Sequence, residues 1–181
     1  FIFWSSVSIF YLSGFAFIPT ERPMCLILNK NGKKTLFAPG LELEHAEECP
    51  EIDEVRCYRD YPGKVHPMNQ IGTLLEEIGL ASGKLGADGG GYGSAWGYRG
   101  PRMSEVVPSA EIVVDPFLIE THRMIKSDEE IALIKESCKW GNLAHRFLQD
   151  YSKPGATENE ISIRASLDAT LAMIKTLGPM Y

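Results

Sequence analysis

Two helix-start signatures follow one another near the end of the chain, and they constrain its folding more than any other feature. In Ser127-Asp128-Glu129-Glu130 a hydroxyl stands at an N-cap position and a carboxylate follows three residues later, the reciprocal pair that satisfies free amide donors at a helix start. Ile131, Ile134, Cys138, Ala144, Phe147, Leu148 and Tyr151 then supply an apolar face until Lys153-Pro154-Gly155 stops the helix. Thr157 and Glu160 repeat the signature at once, and the second helix is expected from Glu158 to about Leu177, before Gly178-Pro179. Two long helices with no strand between them have no sheet of their own to cover, so they read as the opening of a second domain.

The preceding residues follow a different pattern, in which short apolar runs alternate with turn chemistry. Met24 to Leu28 and Thr35 to Ala38 flank Asn29-Lys30-Asn31-Gly32, and Asn31-Gly32 favours the positive φ of a β-hairpin turn. Glu42 to Glu48 is helix-compatible and leads to a strand at Val55 to Tyr58. Apolar residues at 71, 74, 75 and 78 share one helical face, and Gly79 lies where that helix stops. A strand at Lys84 to Ala87, a helical segment near Arg102 to Val107 and a strand at Glu111 to Val114 complete the series, so the class is α/β or α+β.

Phe1 to Ile18 carries no charge, but Ser5, Ser6, Ser8, Ser13 and Gly14 interrupt it and no basic residue precedes it. A spanning helix needs about 20 predominantly apolar residues. Aromatic and β-branched content favours buried strands here, with no membrane segment. Phe1-Ile2-Phe3-Trp4 enters mid-pattern, as expected of a chain that has lost its natural beginning.

A net charge of -6 supplies no basic field for phosphate backbones, which argues against nucleic acid as a partner. Hydrophobic residues make up 44% of the chain and charged residues 23%, which places it among folded proteins rather than disordered ones. Cys25, Cys49, Cys57 and Cys138 are scattered, without C-x-x-C or zinc-finger spacing, and read as reduced thiols in a cytoplasmic setting.

Several constellations invite a chemical reading and fail in detail. Asp88-Gly89-Gly90-Gly91-Tyr92-Gly93 resembles a phosphate-cradling loop, but Gly91, Gly93 and Gly97 miss the G-x-G-x-x-G interval and no G-K-[ST] follows, so a surface loop is expected. His45, His66, His122 and His145 have no partner at metal-ligand spacing and read as structural or solvated. Glu42, Glu44, Glu47 and Glu48 lack a calcium-loop pattern and read as a solvated helical face. Ser13-Gly14 and Ser94 lack the G-x-S-x-G elbow of serine hydrolases.

Other segments are familiar. Tyr11-Leu12-Ser13-Gly14-Phe15, followed by Thr20-Glu21-Arg22-Pro23 and an apolar strand, resembles the Y-x-[ST]-G-F element near the start of the creatinase/prolidase (Xaa-Pro dipeptidase, aminopeptidase P-like) amino-terminal domain. Arg123-Met124-Ile125-Lys126-Ser127-Asp128-Glu129-Glu130-Ile131 is similar to the R-x-x-K-[ST]-x-x-E-[IL] junction entering that family's pita-bread catalytic domain. Pro154-Gly155-Ala156-Thr157-Glu158-Asn159-Glu160-Ile161 resembles the P-G-x-[ST]-E-x-E-[IL] turn between the first two helices of that domain.

The resemblance implies an α/β domain with a mixed sheet flanked by helices over residues 1–121, then the first helices of an incomplete pita-bread domain over residues 122–181. In metallopeptidase members two Asp, one His and two Glu hold a pair of manganese, cobalt or zinc ions, and all five ligands are expected after Tyr181. No catalytic residue, metal ligand or cofactor is therefore assigned to this chain, and Asp88, Asp115 and Asp168 are not drawn into such a site. The implied role is a dimerising, site-covering domain of a Xaa-Pro metallohydrolase that acts on a peptide or small molecule, inactive by itself.

One residue is carried over from creatinase-like members, in which an Arg after the S-G-F element reaches across the dimer interface to the substrate carboxylate. Arg22 holds the matching place, and a guanidinium offers two parallel donors to a carboxylate. A surface ion pair with Glu21 or another carboxylate is the competing role. Thr20 stands where those members have an aromatic residue, which counts against creatine as substrate. The same scaffold also serves creatine hydrolysis, a lyase acting on dimethylsulfoniopropionate, and non-catalytic binding modules such as histone chaperones. The downstream ligands and an acidic tail would separate these alternatives.

Overall fold

In the computed structural model, which describes residues 1–59, 64–93 and 100–178, a strand of two residues stands inside a six-stranded sheet. This strand, β1 (Ile2–Phe3), is followed by β2 (Cys25–Leu28), β3 (Lys34–Pro39), β4 (Glu54–Tyr58), β5 (Gly83–Ala87) and β6 (Ala110–Val114), in the spatial order β4-β3-β2-β1-β5-β6. Strand β2 pairs antiparallel with both β1 and β3, whereas β3 with β4, β1 with β5 and β5 with β6 run parallel. The hairpin expected at Asn31-Gly32 is present. Gly32 takes φ +86° and donates its N–H to the Asn29 carbonyl at 3.0 Å, and Leu26 faces Leu36 across the ladder.

Side chains alternate between the faces of a strand, so each central strand feeds two cores. On one face Ile2, Cys25, Ile27, Phe37 and Leu85 pack against Met68, Ile71 and Leu75 of α3 (Pro67–Glu77) and Met103 of α4 (Met103–Val106). On the other, Phe3, Leu26, Leu36 and Ala38 meet Ile9 of α1 (Ser6–Ser13), Ala46 of α2 (Leu43–Glu47) and Ile119 of α5 (Leu118–Met124). The class is therefore α/β, a mixed sheet between two helical layers.

Phe1 to Ile18 departs from the expected buried strands: only Ile2 and Phe3 form a strand, and α1 follows. Its ends explain the difference. The Ser5 hydroxyl accepts from Ser8 N–H at 3.4 Å, and Asp88, from the loop after β5, accepts from Trp4 N–H at 2.7 Å and Ser5 N–H at 3.1 Å. Gly14 closes the helix at φ +75°, a left-handed conformation that costs other residues about 1–2 kcal/mol, and donates to the Phe10 carbonyl at 2.8 Å. Propensity yields to caps, one of which comes from the loop after the neighbouring strand β5.

Helix α3 starts with His66 as its N-cap and Pro67 in its first turn. The His66 Nδ1 accepts from Met68 N–H at 3.1 Å. The helix then presses closely on α4, where a Cβ at Gly72 would lie 2.6 Å from Val106 Cγ1 and 3.1 Å from its carbonyl oxygen.

The chain divides into two compact units, Phe1–Met124 and Ile125–Tyr181. The second contains α6 (Asp128–Tyr151) and α7 (Glu158–Leu177), and both expected capping boxes are formed. Glu130 N–H reaches the Ser127 hydroxyl at 3.2 Å while Ser127 N–H reaches the Glu130 carboxylate at 2.8 Å. Glu160 N–H and Thr157 N–H make the equivalent pair at 3.3 and 3.0 Å. Between the helices Tyr151 donates to Asp168, and the Arg164 guanidinium lies 5.7 Å from the Tyr151 ring centre. Two helices cannot enclose a core: among the described residues of this unit only Ala165 is buried, while Ile163, Leu167 and Leu171 stay 67%, 55% and 54% exposed. Pro179 to Tyr181 lie outside the described residues.

Gly72→Ala is expected to destabilise the first unit by about 1–3 kcal/mol, because the added methyl overpacks the contact with Val106. Urea unfolding should show a lower midpoint with an unchanged slope.

Acid should weaken the fold in a defined direction. The Glu54 carboxyl is held below the ordinary range chiefly by its hydrogen bond from Lys33, and the Glu160 carboxyl by its bonds from Thr157. A lowered folded-state pKa means that the native state binds fewer protons. The stabilisation is then complete above the unfolded carboxylate value of about 4.3 and is lost as pH falls through the folded values. Urea midpoints measured from pH 6 downward are expected to stay level and then drop below about pH 4.3.

Candidate functional site

The segment from Gly14 to Met24 carries Arg22 between helix α1 and strand β2, and its course is held at several points. The Ser13 hydroxyl donates to the Ile9 carbonyl at 2.6 Å and accepts from Phe15 N–H at 3.2 Å, which directs the chain out of α1. Phe15 is buried, with its ring 5.5 Å from that of Phe17 and 4.6 Å from the His45 imidazole. The Thr20 hydroxyl accepts from Arg22 N–H at 3.4 Å, and the Thr20 carbonyl accepts from the Tyr92 hydroxyl at 2.6 Å. Pro23 and Met24 are buried and lead into β2. Arg22 is half-buried and its Nε is shielded from solvent. Thus a cationic fork stands on a short stretch of irregular backbone anchored on both sides, and its geometry suits a planar anion such as a carboxylate.

The other candidates have structural work. Asp88 caps α1, the Asp115 carboxylate accepts from Phe117 N–H at 3.1 Å, and Asp168 takes the Tyr151 hydroxyl. His45 lies 3.4 Å from the Glu42 carboxylate and against Phe15, while His66 caps α3. His122 and His145 are exposed. Within the acidic stretch Glu44, Glu47 and Glu48 are exposed and Glu42 is half-buried, around the buried Ala46. In the glycine-rich loop, Gly91 adopts φ +140° with Met103 N–H close by, and the Gly90 carbonyl accepts from that N–H at 3.2 Å. Ser94 and Gly97 lie outside the described residues.

Among the described residues no group of three or more His, Cys, Asp or Glu side chains converges as a metal site would require. The donors described here do not fit a pair of divalent ions, and no chemical step is assigned through such ions in this chain.

Sequence reasoning did not foresee a cleft of about 540 Å³ beside the edge strand β4, lined by Phe37, Leu74, Arg56, Arg59 and Lys64. Its cations were visible in the sequence, but their convergence depends on the crossing of β4 and α3. Arg56 is already engaged, with Nε 2.6 Å from Glu54 and a terminal nitrogen 3.3 Å from Glu77.

Residues 1–125 match the model of the creatinase/prolidase N-terminal domain, and the chain belongs to that family. Curated relatives include an uncharacterized peptidase of Staphylococcus saprophyticus, 27% identical over 86% of this chain and 41% of that protein. Another, from Staphylococcus aureus, is 26% identical over 86% of this chain and 40% of that protein. The chain thus spans about two fifths of the length of these relatives.

Solved structures with the same fold include a Xaa-Pro dipeptidase from Bacillus anthracis, with TM-score 0.68 at 18% identity over 94% of this chain and 44% of that one. A prolidase from Thermococcus sibiricus gives TM-score 0.68 at 23% identity over 96% and 44%. Among the described residues no helix is long and apolar enough to cross a membrane.

The cysteines should report this architecture by their reactivity. All four are free thiols. Burial, reinforced by the Asp88 charge, pushes the Cys25 thiol far up, and burial raises Cys57 and Cys49 less strongly. Because the thiolate is the reactive form, exposed Cys138 and Cys57 are expected to label in the native chain, and Cys25 only after denaturation. Mass-spectrometric mapping after a timed alkylation would check the order.

Proposed function

We propose that this chain is the amino-terminal, non-catalytic part of a Xaa-Pro dipeptidase or aminopeptidase P-like metallohydrolase, in which it dimerises and covers the active site. Its boundary is taken as residues 1–121, with residues 122–181 as the first helices of the catalytic domain. The reading is carried by the Arg22 segment: a half-buried guanidinium on anchored irregular backbone, whose place after Ser13-Gly14-Phe15 resembles that of the Arg by which creatinase-like members contact a substrate carboxylate.

Two further observations support it. The relatives are peptidases more than twice as long as the matched region. The exposed aliphatic stripe of α7 is suited to a further apolar layer.

In the parent enzyme a pair of manganese, cobalt or zinc ions, held by residues other than those described here, would supply the activated water. The part played by this chain is binding and enclosure. Arg22 would fix the free carboxylate of an Xaa-Pro substrate through parallel charge-assisted hydrogen bonds, orient the peptide and help to exclude bulk water.

The isolated chain is expected to release no proline from an Xaa-Pro dipeptide in the presence of manganese. In the longer polypeptide, Arg22→Gln should raise KM for a dipeptide with a free carboxylate by about tenfold or more, since hydrogen bonds to charged groups contribute roughly 1.5–3 kcal/mol. The KM for the matching C-terminal amide should change little. Manganese-dependent cleavage that purifies with the 181-residue chain would refute the non-catalytic reading, and equal effects on acid and amide would refute the role of Arg22.

A further inference from the structure

Tyr92 belongs to the glycine-rich stretch after β5, far in sequence from the Arg22 segment, yet its hydroxyl donates to the Thr20 carbonyl at 2.6 Å across 72 positions. Its ring is 5% exposed and meets the Trp4 ring edge-on, with centres 6.3 Å apart and planes at 62°. The stretch that delivers it is tied down just before it by the bond from Met103 N–H to the Gly90 carbonyl at 3.2 Å. The phenol is thus a donor on a rigid mount. Burial pushes its pKa up, and the Glu21 charge acts in the same direction. With the net shift upward, the hydroxyl keeps its proton at neutral pH.

Thr20 links this mount to Arg22. Its carbonyl is held by Tyr92, while its own hydroxyl accepts from Arg22 N–H at 3.4 Å. A segment without ladder hydrogen bonds would otherwise sample many φ/ψ states, and a charged fork recognises a carboxylate only when its backbone is fixed. We infer that Tyr92 is a positioning residue for carboxylate recognition, holding Thr20 so that Arg22 presents its guanidinium to the substrate. The inference rests on the reading of Arg22 given above and extends it to a residue that touches no substrate.

Tyr92→Phe keeps the ring and removes the donor, and two measurements separate the possibilities. In the 181-residue chain, solvent exchange of the Arg22 Nε–H read by NMR should quicken by about threefold to tenfold, the effect of one lost hydrogen bond, while the buried Trp4 Nε1–H keeps its rate. An unchanged Arg22 rate, or an equal rise at Trp4, overturns the inference and leaves the carboxylate reading of Arg22 standing.

In the longer polypeptide, Tyr92→Phe should raise KM for an Xaa-Pro dipeptide with a free carboxylate by about threefold to tenfold, with kcat and the KM for the amide nearly constant. If Arg22→Gln distinguishes acid from amide and Tyr92→Phe does not, the inference alone falls. If Arg22→Gln makes no such distinction, the reading of Arg22 falls and the inference falls with it.

Discussion

Strand β1 contributes only Ile2 and Phe3, and both halves of the sheet are joined through it. Ile2 faces Ile27 of β2 on one side and Ala87 of β5 on the other, while Phe3 faces Leu26. The two residues also point in opposite directions, so Ile2 enters the core under α3 and Phe3 the core under α1. Neither core can form with its partner missing, because alternation on a strand couples the faces: a slip of one position would exchange Ile2 with Phe3 and misplace both.

Asp88 reinforces the same joint from a different direction. It follows directly on β5, its N–H donates to the Ile2 carbonyl at 3.2 Å, and its carboxylate receives Trp4 and Ser5 N–H groups as the chain turns into α1. The end of one parallel strand thus caps the helix that begins beside it. That helix in turn ends at Gly14 and launches the segment bearing Arg22, so the placement of the candidate recognition residue is traceable to the centre of the sheet.

What could be read from the sequence follows the range of the interactions. The hairpin, the helix α3 and both long helices depend on neighbours a few residues apart: Asn31-Gly32, the apolar spacing from Ile71 to Ile78, Ser127 with Glu130, and Thr157 with Glu160. These were legible. Helix α1 was not, because its aromatic and β-branched residues favour extension and one of its caps, Asp88, lies outside any local window. The capping role of His66 is not legible either, because an imidazole cap depends on the rotamer that turns Nδ1 toward Met68 N–H. Arg22 stands out in the sequence by its place after Ser13-Gly14-Phe15, whereas the hydrogen bond from Tyr92 to Thr20 depends on the glycine-rich loop returning to that segment.

The helix pair α6 and α7 shows how local order can precede global completion. Reciprocal caps and the Tyr151 to Asp168 bond define its shape, whereas Ile163, Leu167 and Leu171 remain hydrated. Each square ångström of such surface withdrawn from water lowers the free energy by about 25 cal/mol. The outcome is an adhesive ridge, and any apolar surface of matching relief would compete to settle on it.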